Sequence, residues 1–181
     1  EKIYSNFRTS TFQKEVSQLM TPFYFSDFEI SNREYRQFIT WVRDSIALHL
    51  IYDSIDNDNA RFLLNLSKKQ AKKLNPNEKA ENLKKYGLNY EIENYLQNPL
   101  YLPFTESLYY PMPERYFRRR EIDVRTLNYK NKNGDTINVY PDTSATKMAV
   151  FTYMYYWHPS YDDFPIHSIS YDQAVAYCEW L

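Results

Sequence analysis

The chain has 181 residues, a formal charge of −1, 43% hydrophobic residues and 25% charged residues, with 19 Tyr and 11 Phe among them. That is enough apolar material for one ordinary core, or one domain with a large insertion, and it excludes disorder as the default and a general attraction to nucleic acid. Two glycines and one cysteine exclude glycine-rich phosphate loops, an internal disulfide and a cysteine-rich zinc site, and no run of 18 apolar residues is present to span a membrane as a helix.

The chain opens on Glu1 with no Met and no charged-then-apolar leader, as expected of a processed or partly observed product whose N-terminus lies upstream. Residues 1–21 are weakly patterned and read as an arm. Pro22 to Ile30 (PFYFSDFEI) alternates enough to predict a strand or extended segment. A helix is then predicted from Ser31, because Ser31 and Glu34 are spaced as a capping box, in which each side chain satisfies the other residue's free backbone N–H. Tyr35, Phe38, Ile39, Val42, Ile46 and Leu50 follow at helical spacing as one apolar stripe.

From Tyr52 to about Asn98 the chain is rich in Lys, Asn and Glu, which predicts a solvated helical surface stopped by Gly87. Pro99, Pro103, Pro111 and Pro113 lie among aromatics and predict an irregular, aromatic-anchored loop, because proline fixes φ and biases its predecessor toward extended backbone. Arg118, Arg119 and Arg120 form the densest basic cluster. Residues Ile122 to Val139 predict a β-hairpin, with Asn133-Gly134 as a tight two-residue turn in which both residues need positive φ. A second capping box, Ser170 and Gln173, opens a helix whose predicted apolar face is Ala174, Tyr177, Cys178 and Leu181.

Candidate chemistry is sparse. HPSYDDFPIH carries His158, Asp162, Asp163 and His167, but the two histidines are nine residues apart with two prolines in the stretch. Metal ligation is therefore the weaker reading. Asp162 and Asp163 are expected to bond backbone donors within an irregular loop. His49 is expected to pack with one satisfied nitrogen, and Cys178 to behave as a small hydrophobe, since neither a helix N-terminus nor a nearby cation is evident to activate a thiolate.

Two stretches resemble a known family. FEISNREYRQF (Phe28 to Phe38) and FPIHSISYDQAVAYCEWL (Phe164 to Leu181) are similar to two signatures of the formylglycine-generating enzyme (sulfatase-modifying factor) domain, with Tyr171 standing where that pattern has Trp. The resemblance implies an α+β fold of the formylglycine-generating-enzyme, C-type-lectin-like kind with much irregular structure. Residues 22–181 would be the N-terminal part of such a domain, and a long insertion at about 52–156 would separate the signatures. The last helix would then be an early helix of a larger domain. The first signature continuing as WVRDSIA, an insertion holding YYPMPERYF and INVYPDT, and YYWHPSYDDFPI before the second signature together resemble the GldK/PorK lipoproteins of type IX secretion and gliding motility, and GldJ less.

What that implies is a non-enzymatic structural component on the periplasmic face of the bacterial outer membrane, held by an upstream lipid anchor. It would self-associate in a ring with a GldN/PorN-like protein. The catalytic members bind copper through a cysteine pair that this chain lacks, and Cys178 matches a framework cysteine, so no catalytic residue, cofactor or metal is carried over. Tyr109, Tyr110, Tyr116, Phe117, Arg118, Arg119 and Arg120 are predicted at a protein interface, since aromatic and arginine anchors dominate interface energetics. The alternatives are a formylglycine-generating oxidase acting on a substrate cysteine, or a lectin-like surface recognition module.

Overall fold

The computed structural model describes residues 27–75, 77–92, 95–142 and 154–181. The N-terminal arm at 1–21 and most of the extended segment at 22–30 lie outside the described residues. The fold is mixed helix and sheet, compatible with the α+β class, and is organised around one long helix. That helix, α1 (Asn32–Ser54), has 23 residues, so it is about 34 Å long.

The predicted capping box opens α1. Glu34 N–H donates to Ser31 Oγ, and Glu34 Oε2 accepts Ser31 N–H at 2.8 Å. The remaining first-turn donors are satisfied from afar: Asn32 N–H bonds the Phe164 carbonyl at 2.9 Å and Arg33 N–H that of Asp162 at 3.0 Å. At the other end the chain turns extended at Ile55. Lys79 reaches in from a distant segment and donates to the carbonyls of Tyr52 (2.7 Å) and Ile55 (2.5 Å). A cation there offsets the partial negative charge of a helix C-terminus.

The predicted single stripe holds for only half of α1. Tyr35, Phe38, Ile39 and Val42 are buried, but beyond them the buried residues are Ala47, Leu48, Ile51 and Tyr52, while Ile46 and Leu50 are only partly covered. At 3.6 residues per turn the second group lies roughly half a turn round from the first. The helix therefore buries opposite faces at its two ends, each against a different core.

The first core joins Tyr35, Phe38, Ile39 and Val42 to Leu127, Val139, Tyr156, Ala176 and Tyr177. The two capped helices thus share an interior: Tyr35 and Tyr177 stack at 5.6 Å, and Phe38 meets Trp180 at 5.4 Å. The second core gathers Ala47, Leu48, Ile51 and Tyr52 with Ile55, Ala60, Leu63, Leu64, Leu88, Tyr95 and Leu108. Full burial of a side chain such as Phe38 or Leu48 contributes about 1.5–3 kcal/mol.

The Lys-rich surface is not one helix but several pieces: α2 (Asn57–Ala60), α3 (Lys68–Ala71) and α4 (Lys79–Tyr86). Gly87 ends α4 with φ of 69°, as predicted. The segment is not wholly surface, since Asn82 is buried and donates to the Asn75 carbonyl at 2.7 Å. The hairpin is present, formed by β1 (Asn128–Lys130) and β2 (Thr136–Asn138) with Tyr129 opposite Ile137. Its turn differs from the predicted one. Gly134 N–H bonds the Asn131 carbonyl and Asn131 N–H that of Asp135, both at 3.0 Å, and only Gly134 has positive φ. This is a three-residue loop needing one left-handed residue instead of two. Val124 to Thr126, read as part of the alternation, forms a 3₁₀ turn.

The last helix, α5 (Tyr171–Trp180), has the predicted capping box but a different inward face. Gln173, Ala176 and Tyr177 are buried, whereas Cys178 and Leu181 are exposed. The cause is Gln173. Its amide donates to the carbonyls of Asn138 (2.9 Å) and Tyr140 (2.8 Å) while its oxygen accepts Ser170 N–H, which clamps α5 to the end of β2 and rotates Cys178 outward.

Candidate functional site

Residues 111–120 form a loop closed at its base by two short extended segments. Tyr109 bridges Ile122, Tyr110 N–H bonds the Glu121 carbonyl at 3.1 Å, and Asp123 N–H bonds that of Leu108 at 2.8 Å. The prolines keep this path out of regular helix, and it proceeds as two 3₁₀ turns, Met112–Glu114 and Tyr116–Arg118.

The predicted interface residues divide into two sets. Tyr109, Tyr110 and Arg120 brace the base. Arg120 lies over the Tyr109 ring at 4.1 Å and pairs with Glu106 at 3.0 Å, and Arg125 lies over the Tyr110 ring at 5.2 Å. Between them Arg115 is nearly buried, donates Nε to the Tyr110 carbonyl at 2.6 Å and pairs with Glu106. Those hydrogen bonds and charges hold the Glu106 carboxyl below its ordinary 4.5. Asp123 is likewise held below 3.8 by Arg125, which also pairs with Glu114 at 2.8 Å.

Tyr116, Phe117, Arg118 and Arg119 form the tip. Tyr116 and Phe117 are 68% and 77% exposed and meet edge to face at 4.4 Å. Phe117 and Arg118 both have left-handed backbone, with φ of 48° and 57°. That conformation costs a non-glycine residue about 1–2 kcal/mol. Among the described residues neither the Arg118 nor the Arg119 guanidinium has an ion-pair or hydrogen-bond partner. A strained turn thus holds two rings and two uncompensated cations out in solvent on a braced base.

The HPSYDDFPIH stretch gathers no metal site; among the described residues no group of three His, Cys, Asp or Glu side chains is placed to hold an ion. Nor do its carboxylates bond backbone donors as predicted. Asp162 pairs with Arg36 and Asp163 with Arg33 at 2.9 Å, and it is the backbone carbonyls of Asp162 and Phe164 that receive the donors of α1. His167 lies 4.4 Å from the Tyr155 ring, and His158 Nδ1 accepts Ser160 N–H. His49 has its one satisfied nitrogen, at the Ser45 carbonyl (2.7 Å), but is exposed and not packed. Cys178 opens on an apolar groove of about 270 Å³ beside Ile30, Pro165, Ile169 and Ala174.

One feature escaped the sequence reading. All three tryptophans, Trp41, Trp157 and Trp180, line a single shallow cleft of about 540 Å³, with Tyr90 stacked on Trp41 at 5.7 Å. Arg33, Gln37, Thr40 and Asp44 recur along its α1 wall at helical spacing, and that polar stripe was the available signal. Nothing in the spacing of positions 41, 157 and 180 brings them together. No family model, no curated protein and no solved structure matches the chain.

Proposed function

We propose that this chain is a non-enzymatic assembly component of the GldK/PorK type. In this reading it belongs to a formylglycine-generating-enzyme-like, C-type-lectin-like domain carrying its insertion at about 52–156. It acts as a lipid-anchored subunit on the periplasmic face of the bacterial outer membrane, in the type IX secretion and gliding machinery. The likeness of FEISNREYRQF and FPIHSISYDQAVAYCEWL to the two family signatures supports the assignment. So does the packing of Tyr35 and Phe38 against Ala176 and Tyr177 in one interior.

The observation that carries the role is the tip at Tyr116 to Arg119, where aromatic rings and unpaired guanidinium groups stand exposed on a rigid base. Such pre-formed aromatic and arginine anchors lose little entropy on docking. The partner they fit is an acidic, partly apolar surface, such as a GldN/PorN-like protein or a neighbouring copy in a ring. The test is co-purification of that partner with the full-length protein carrying Arg118→Glu and Arg119→Glu, both exposed and, among the described residues, without an ion-pair or hydrogen-bond partner for the guanidinium. Partner affinity should fall about tenfold or more, and undiminished recovery of the complex would reject the role. Arg120 is left intact because it holds the base.

A further inference from the structure

The α1 wall of the tryptophan cleft is the same helical face that the second core covers further along. Counting about 100° per residue, Gln37, Thr40, Trp41 and Asp44 share roughly the azimuth of Ala47, Leu48 and Ile51. The latter three are fully buried, while Gln37 and Thr40 are exposed. The second core therefore stops short, and the uncovered part of the face is polar between aromatic walls. Trp157 is held in place by its indole N–H, which donates to the Tyr140 hydroxyl at 2.8 Å, yet its surface stays 44% exposed.

The charges of the cleft are already compensated. Arg33 pairs with Asp163, Arg36 with Asp162, and Asp44 with Arg43 at 2.7 Å. Among the described residues, what remains without a hydrogen-bond partner is neutral: the Gln37 amide, the Thr40 hydroxyl and the indole N–H groups of Trp41 and Trp180. An ionic ligand would find no free countercharge here. Gln37 and Thr40 both donate and accept, which matches hydroxyl groups that do the same. A run of prolines offers backbone acceptors only and would leave half of that capacity unused. Exposed indole faces suit the apolar C–H face of a pyranose ring.

We propose that this cleft binds a neutral saccharide, with a sugar ring on Trp157 and its hydroxyls on Gln37 and Thr40. The site is separate from the 111–120 loop and does not depend on the assembly reading. The full chain is titrated with cellohexaose, maltohexaose, mannohexaose and chitohexaose, followed by tryptophan fluorescence and calorimetry, with a proline decamer as the competing probe. At least one oligosaccharide should give saturable binding, weakened tenfold or more by Trp157→Ala and several-fold by Gln37→Ala. Gln37 is exposed, so its variant keeps the fold even where the tryptophan variant fails. The proposal is overturned by no saturable response to any of the four, by binding of the decamer alone, or by a sugar affinity that Gln37→Ala leaves unchanged.

Discussion

The two ends of α1 are packed by different means. Around its N-terminal half the core is a net of rings, Tyr35, Phe38, Tyr129, Tyr177 and Trp180, fastened by polar clamps from far along the chain. Tyr35 donates to the buried Val139 carbonyl at 3.0 Å, and burial pushes its phenol above the ordinary 10.0. Asn32 donates to the Tyr161 carbonyl, and Arg36 to that of Tyr156. Around the C-terminal half the core is mostly aliphatic and drawn from residues 47–108. The first arrangement closes long loops and needs directional bonds to fix its partners. The second closes shorter loops and relies more on non-directional burial, with Lys79 as its polar clamp.

The sharpest way to break this comparison is one large-to-small substitution in each core. Phe38→Ala should cost about 3–5 kcal/mol and Leu48→Ala about 2–5 kcal/mol. Because α1 runs through both cores, each variant should lower a single urea transition followed by circular dichroism. Two separate transitions, with Leu48→Ala moving only one, would divide the molecule at the middle of α1.

A smaller effect compares two copies of one local motif. Gln173→Ala removes a cap and leaves the Asn138 and Tyr140 carbonyls without their buried donor, at a cost of about 2 kcal/mol. Gln70→Ala removes the matching cap of α3, which is exposed, and should cost about 0.5 kcal/mol. Equal losses of thermal stability would show that the clamp to β2 contributes nothing beyond the cap.

The smallest effect is the response to acid. Asp123 and Glu106 have folded pKa values depressed by arginine partners, so they bind protons more weakly folded than unfolded. Their contribution is complete above about pH 4.5 and is lost as the pH falls through the lowered folded values. Between pH 6 and pH 3 the denaturation midpoint of Asp123→Asn should fall less than that of the unsubstituted protein. High salt should shrink the difference, since the Arg125 side of the pair is exposed.

What could be read from the sequence was local. Ser31 with Glu34 and Ser170 with Gln173 mark both major helix starts because a capping box is a contact between residues three apart. Gly87 and the hairpin around Gly134 were legible for the same reason. The aromatic and arginine cluster at 109–120 was legible as composition, but its division into a bracing base and an exposed tip was not. That division depends on which arginine meets Glu106, and Arg115 and Arg120 do while Arg118 and Arg119 do not.

Residue type and spacing by themselves determined where α1 and α5 begin, where glycine stops or turns the chain, and that prolines keep 99–113 irregular. Tertiary structure alone decided that α1 buries opposite faces, that Gln173 points inward and Cys178 outward, and that three tryptophans meet at one cleft. Backbone preferences act over three or four residues. Which face of a helix is buried depends instead on partners supplied by distant segments, and no short-range spacing encodes them.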